Sequence, residues 1–135
     1  MLGRKNYTHE ELTSCRVAVG AQLEAYAAVE ANAGDDALAA FEGPFFTNLV
    51  LALDRWFVHR LRAINGKDGN PLNEVVLIAE SVITNGGVLQ GSSTITYVPG
   101  ESVLGLEIGD RISLTREQFE RLWEAFLAEI ERRFV

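Results

Sequence analysis

Between Arg55 and Lys67 the chain places Arg55, His59, Arg60, Arg62 and Lys67 and no carboxylate. Guanidinium and ammonium groups set this close together are how proteins hold carboxylates and phosphates. Arg55, His59 and Arg62 stand at i, i+4 and i+7, a spacing that predicts one shared helix face. The loop that follows, Asn65-Gly66-Lys67-Asp68-Gly69-Asn70, leads into another helix, whose first N–H groups and positive dipole end favour an anion. Arg55, His59, Arg62, Lys67, Asn70 and Asn73 are therefore the candidate ligands of a small anion. A purely structural role competes with this one. The same arginines can pair with Asp54, Glu74, Glu80 or the acidic faces of neighbouring helices, or line a subunit contact, because charge runs usually sit on solvated faces.

Other chemistry finds less footing. His59 is the one candidate general base, with Arg55 or Arg62 holding an anionic substrate, and that arrangement is the catalytic alternative. His9 falls in a capping turn. Cys15 lies on an apolar stripe, where a buried structural thiol is expected rather than a nucleophile. No Gly-x-Ser-x-Gly and no phosphate-binding Walker loop occurs: Gly66-Lys67 lacks both the upstream glycine spacing and the hydroxyl residue that should follow. Two histidines fifty residues apart and one cysteine assemble no zinc set, and neither histidine follows a glutamate by three, as di-iron bundles need. Asp68-Gly69-Asn70 hints at a calcium loop. With Asp68 third, Pro71 falls at the required glycine and Leu77 at the required glutamate; with Asp68 first, Ala79 takes the glutamate position. No metal and no cofactor is expected.

The elements that must position these groups are mostly helices. Thr8-His9-Glu10-Glu11 is a capping box, and behind it Leu12, Cys15, Val19, Leu23 and Tyr26 form an apolar stripe that stops at Asn32-Ala33-Gly34. Asp35 or Asp36 caps a short helix through Phe41, and Gly43-Pro44 is expected to restart the chain. From Phe45 to Ile64 the pattern predicts the central helix, with Phe46, Leu49, Val50, Leu53, Phe57, Leu61 and Ile64 along one face and Trp56 widening it. Asn70-Pro71 begins the next helix, which ends at Asn85-Gly86-Gly87; its β-branched content (Val75, Val76, Ile78, Val82, Ile83) leaves a strand open for 72–84.

Eight of the twelve glycines lie between Gly66 and Gly109. The alternation of Ser92 to Tyr97, the turn at Pro99-Gly100 and the return through Val103, Leu104, Leu106 and Ile108 predict a β-hairpin; a turn at Gly109-Asp110 before 111–114 extends it to three strands. Thr115-Arg116-Glu117-Gln118 is a second capping box, opening an amphipathic helix with Phe119, Leu122, Trp123, Phe126, Leu127, Ile130 and Phe134 on one side. The expected fold is mainly α, about four helices around a central apolar one, with a small hairpin or three-stranded sheet before the last helix; α+β is the alternative.

A chain of 135 residues without repeats or linkers fits one domain, 1–135. The net charge of −7 argues against nonspecific binding to nucleic acid or anionic membrane. It is unevenly spread: 55–67 carries +4 and the remainder −11. The best apolar run, Phe45 to Leu53, is too short and too polar to span a bilayer, no secretory leader is legible, and one cysteine forms no internal disulfide, so a cytoplasmic protein is expected. Seven Phe, two Trp and three Tyr exceed what a thin helical layer easily hides, which leaves two readings open: a core built on both sides of the central helix, or a homodimer interface.

The phrase from Phe45-Phe46-Thr47-Asn48-Leu49-Val50 to Asp54-Arg55-Trp56-Phe57-Val58-His59-Arg60-Leu61-Arg62, followed by Gly66-Lys67-Asp68-Gly69-Asn70-Pro71-Leu72-Asn73-Glu74-Val75, resembles a family of small uncharacterised actinobacterial proteins. Gly109-Asp110 to Leu114-Thr115 and the last helix are similar as well. That resemblance implies no activity and no catalytic residue. The reading that follows is a non-enzymatic, self-associating binding protein, with an anion spot at the helix–loop–helix junction of residues 55–74.

Overall fold

Glu11 donates its N–H to Thr8 Oγ1 at 3.1 Å and receives the Thr8 N–H at 2.8 Å, so the expected capping box opens the first helix, α1, His9–Asn32. The computed structural model describes residues 3–135. Beyond α1 come α2 (Asp35–Trp56), a single-turn α3 (Arg62–Asn65), α4 (Pro71–Thr84), a 3₁₀ turn at Pro99–Glu101, and α5 (Arg116–Phe134). The fold is mainly helical, and the Thr115/Gln118 capping box at the head of α5 is also formed. Along α5 the expected stripe from Phe119 to Phe134 is buried throughout.

Two boundaries differ from expectation. Helix α2 does not restart at Gly43-Pro44 but runs through it, and it stops at Trp56 rather than Ile64. Pro44 removes one backbone N–H, but it lies on the exposed side of the helix. Gly43 leaves room for the hydroxyl of Ser113, so the pair is spent on close packing instead of a break. At the other end, the N-terminal segment claims the chain. Arg4 donates its N–H to His59 O and accepts from the Leu61 N–H, each at 2.7 Å, which pulls 59–61 out of helical geometry.

Helices α2, α4 and α5 pack against one another, α1 lies on α2, and α3 rests on α5. Helix α2 thus touches three neighbours, yet α4 is the more enclosed: eight of its 14 residues are buried, against five of 22 in α2. Of the β-branched residues that left a strand open for 72–84, Val75 and Ile78 are buried, Val76 and Val82 half-buried, and Ile83 exposed. Phe46, Phe57, Phe119 and Phe126 are completely enclosed. Each such ring contributes about 1.5–3 kcal/mol by leaving water. Trp56, expected to widen the core face, is instead 41% exposed.

The hairpin or three-stranded sheet expected at 92–114 is not formed; among the described residues there are only two isolated bridges, Arg4 with Arg60 and Val88 with Arg111. The segment from 85 to 115 is an irregular strap fastened to the helices. Gln90 donates its N–H to Ser81 Oγ at 2.9 Å, Thr96 to Lys67 O at 2.9 Å, and Leu89 to Asp110 O at 2.8 Å. Val103 and Leu104 donate theirs to the buried Glu74 carboxylate at 2.8 and 3.0 Å. Backbone groups that alternate like a strand thus find some partners on helices and loops and a few across the strap at 87–89 and 109–112, too few to make a strand.

Candidate functional site

The turn between α2 and α4 is organised around a buried arginine. Arg60, 7% exposed, donates from Nε to Asn65 Oδ1 at 2.7 Å, from one terminal nitrogen to Phe57 O at 2.9 Å and from the other to Asp54 Oδ1 at 3.3 Å. Its guanidinium also lies 5.4 Å from the centre of the Phe126 ring. Burial pushes its pKa down and Asp54 opposes that. From Asn65 the network continues to Asn73 Oδ1, and Asn73 Nδ2 donates to Gly66 O at 3.1 Å and Asp68 O at 2.9 Å. Gly66 turns at φ 79°, a conformation side chains resist, and a Cβ there would stand 2.7 Å from Asp68 Oδ1. From α5, Arg133 donates to Ile64 O at 3.3 Å and Asn65 O at 3.1 Å, closing the turn from the other side.

This network separates the candidate ligands. Arg55, His59 and Arg62 do not share a helix face, because α2 has ended before His59 and Arg62 opens α3. Arg55 is exposed near the C-terminal end of α2. His59 is exposed in the turn, beside a shallow depression with Arg4 and Arg62. Its side chain makes no hydrogen bond among the described residues, and Glu74, a conceivable acid partner, is committed to Val103 and Leu104. Asn70 and Asn73 are buried and saturated. Asn70 Oδ1 accepts the N–H groups of Leu72 and Asn73 at 3.0 and 3.1 Å, and Asn70 O accepts that of Glu74. With proline at the first position, the start of α4 has no free amide for an anion, which corrects the expectation that this terminus is the binding element.

Two of the expected cations do converge. Arg62 and Lys67 border one cleft of about 370 Å³, floored by Asn65 and Asn73 and walled on the far side by Thr94 and Ile95 of the strap. Neither has a carboxylate within 4.0 Å among the described residues. Arg60 and Arg133, by contrast, are neutralised internally, by Asp54 and by Glu129 with Asp68. Of the basic cluster, then, one arginine is scaffold, Arg55 stands apart, and the two cations that share a cleft are Arg62 and Lys67. Thr94 was missed because its place depends on the Thr96-to-Lys67 backbone bond, a contact across 29 residues that no local pattern announces. Glu74, Arg60 and the half-buried Arg133 were each legible as charges but not as ties within the fold.

Cys15 is fully enclosed, and burial pushes its thiol up to about 12, far from nucleophilic use. Among the described residues no three His, Cys, Asp or Glu side chains converge on a point. No protein-family model matches the chain, and no curated protein or solved structure is found to be similar to it.

Proposed function

We propose that this protein is a non-catalytic, self-associating binding protein that holds a small carboxylate or phosphate between Arg62 and Lys67. The observation that carries the reading is the pairing of two unneutralised cations on one cleft, over a floor of asparagines already fixed by their own hydrogen bonds. A floor tied by its own hydrogen bonds keeps the backbone of residues 65–68 in one shape beneath the two exposed cations. Thr94 offers a hydroxyl and Ile95 an apolar wall, suiting a ligand with an anionic head and a short carbon body. The catalytic alternative draws no comparable support, since His59 has neither a carboxylate to orient it nor a place on this cleft.

Thermal unfolding in the presence of phosphate, nucleotides and small carboxylates tests the reading. A ligand at ten times its Kd adds about 1.4 kcal/mol, or roughly 4–6 °C for a domain this size. The shift is expected in the wild type and in His59→Ala, and is expected to vanish in Arg62→Ala and in Lys67→Ala. No shift with any anion, or one that survives both substitutions, overturns the proposal.

A further inference from the structure

Away from its core side, α2 presents a second apolar stripe that stays partly open among the described residues, with Leu49 buried at its edge and Phe41 and Phe45 stacked on Tyr26 of α1. Phe41, Pro44, Phe45, Asn48, Leu49 and Ala52 line an open groove of about 490 Å³. Phe41 is 46% exposed, and Trp56, at the end of the same side, 41%. We propose that a second copy of this chain docks here, α2 against α2 in antiparallel orientation, about a two-fold axis between Phe46 and Thr47. This inference rests on the self-association proposed above and names its surface.

The stripe is self-complementary about that axis. Reversing the helix sets Phe41 against Ala52, Pro44 against Leu49 and Phe45 against Asn48, so each bulky group meets a smaller or flatter one, as a two-fold interface demands. Charges at the two ends agree. Asp35 and Asp36 begin α2 and Arg55 lies near its end, and none of the three has an ion-pair partner within 4.0 Å among the described residues. Antiparallel pairing brings Arg55 of each copy opposite Leu38, one helical turn from Asp35 of the other; parallel pairing would stack like charges. About this axis residues 37–56 of α2 face the partner helix, so at about 1.5 Å each the paired helices run side by side for about 30 Å.

A lipid surface is the competing occupant. Helix α2 is long and apolar enough to cross a membrane by composition, with mean hydropathy 1.2 over an 18-residue window. Phe46, Val50 and Leu53 on its other side are nevertheless fully enclosed by the core, which ties the helix into the domain. Its apolarity is the sum of a core side and the partly open stripe.

Sedimentation equilibrium of the full chain at tens of micromolar, with cysteine cross-linking, tests the interface. Wild type is expected at twice 14.9 kDa. Ala52→Glu, an exposed position, is expected to return it to the monomer mass, while Val17→Glu on the exposed side of α1 leaves the dimer intact. The two Asn48 residues are offset by about 4.5 Å along the axis, within reach of a disulfide. Asn48→Cys is therefore expected to oxidise to a covalent dimer, and Val17→Cys to stay monomeric under denaturing electrophoresis; buried Cys15 stays silent. A wild-type dimer that persists in Ala52→Glu and gives no Asn48→Cys cross-link overturns this interface while leaving self-association standing. A wild-type monomer overturns both. A monomer that floats with phosphatidylcholine–phosphatidylglycerol vesicles assigns the stripe to lipid and equally refutes the pairing.

Discussion

Removing a guanidinium from water costs several kcal/mol, and at Arg60 that cost is offset by contacts that all come from within the fold. The side chain sits where α2 ends, where the N-terminal segment pairs with 59–61, and where Asn65 hands the network on to α4. Truncating it leaves Asn65 Oδ1 without a donor in a dry interior, while Phe57 O keeps the Tyr7 hydroxyl and the N–H of residue 60. Arg60→Ala is accordingly expected to destabilise by about 3–5 kcal/mol in urea titration, against about 1–3 kcal/mol for Asp54→Ala, whose carboxylate is partly solvated. Equal and small losses from both would mean that Arg60 is not the hub described. In the sequence Arg60 was indistinguishable from Arg62. Both are basic residues in one short run, and only the tertiary placement of Asn65 and Phe57 makes one a scaffold and leaves the other for a ligand.

At the scale of elements, the helices were legible wherever a local hydrogen bond announces itself: Thr8 with Glu11, Asn70 with Leu72, Thr115 with Gln118. The errors fall where the deciding contact is remote. Gly43-Pro44 reads as a break until Ser113 is seen beside Gly43, and 59–62 reads as helix until Arg4 pairs with it. The strap from 85 to 115 has strand-like alternation, but several of its amides go to Glu74, Ser81 and Lys67. Glu74 is the firmest of these ties and has a pH signature. Burial raises its pKa, and the N–H groups of Val103 and Leu104 only partly counter this. The folded chain therefore binds this proton more tightly than the unfolded one. Glu74's contribution is full below the unfolded carboxyl value of about 4.3 and is lost as pH rises through the higher folded value. The unfolding free energy of wild type minus that of Glu74→Gln is thus expected to fall between pH 4 and pH 7 in paired urea titrations. A difference that grows with pH would contradict the assignment.

Over the whole molecule, the net charge of −7 conceals a polarity that the fold refines. Seen along the chain, residues 55–67 carry the largest run of unbalanced positive charge, +4. Seen in space, Arg60 is withdrawn into the core and Arg55 stands apart near the end of α2, so the positive potential open to a ligand narrows to Arg62 and Lys67. The α2 stripe lies on residues 41–52 and the cleft on residues 62–95, which share no side chain, so binding and self-association are separable by mutation. The most direct test of the cleft is an amide chemical-shift titration of the labelled protein with phosphate and with a small carboxylate. Saturable shifts centred on Ala63, Gly66, Lys67, Thr94 and Ile95, absent from Arg62→Ala, are the predicted result. Shifts that never saturate, or that gather around Arg4 and His59 instead, would contradict it.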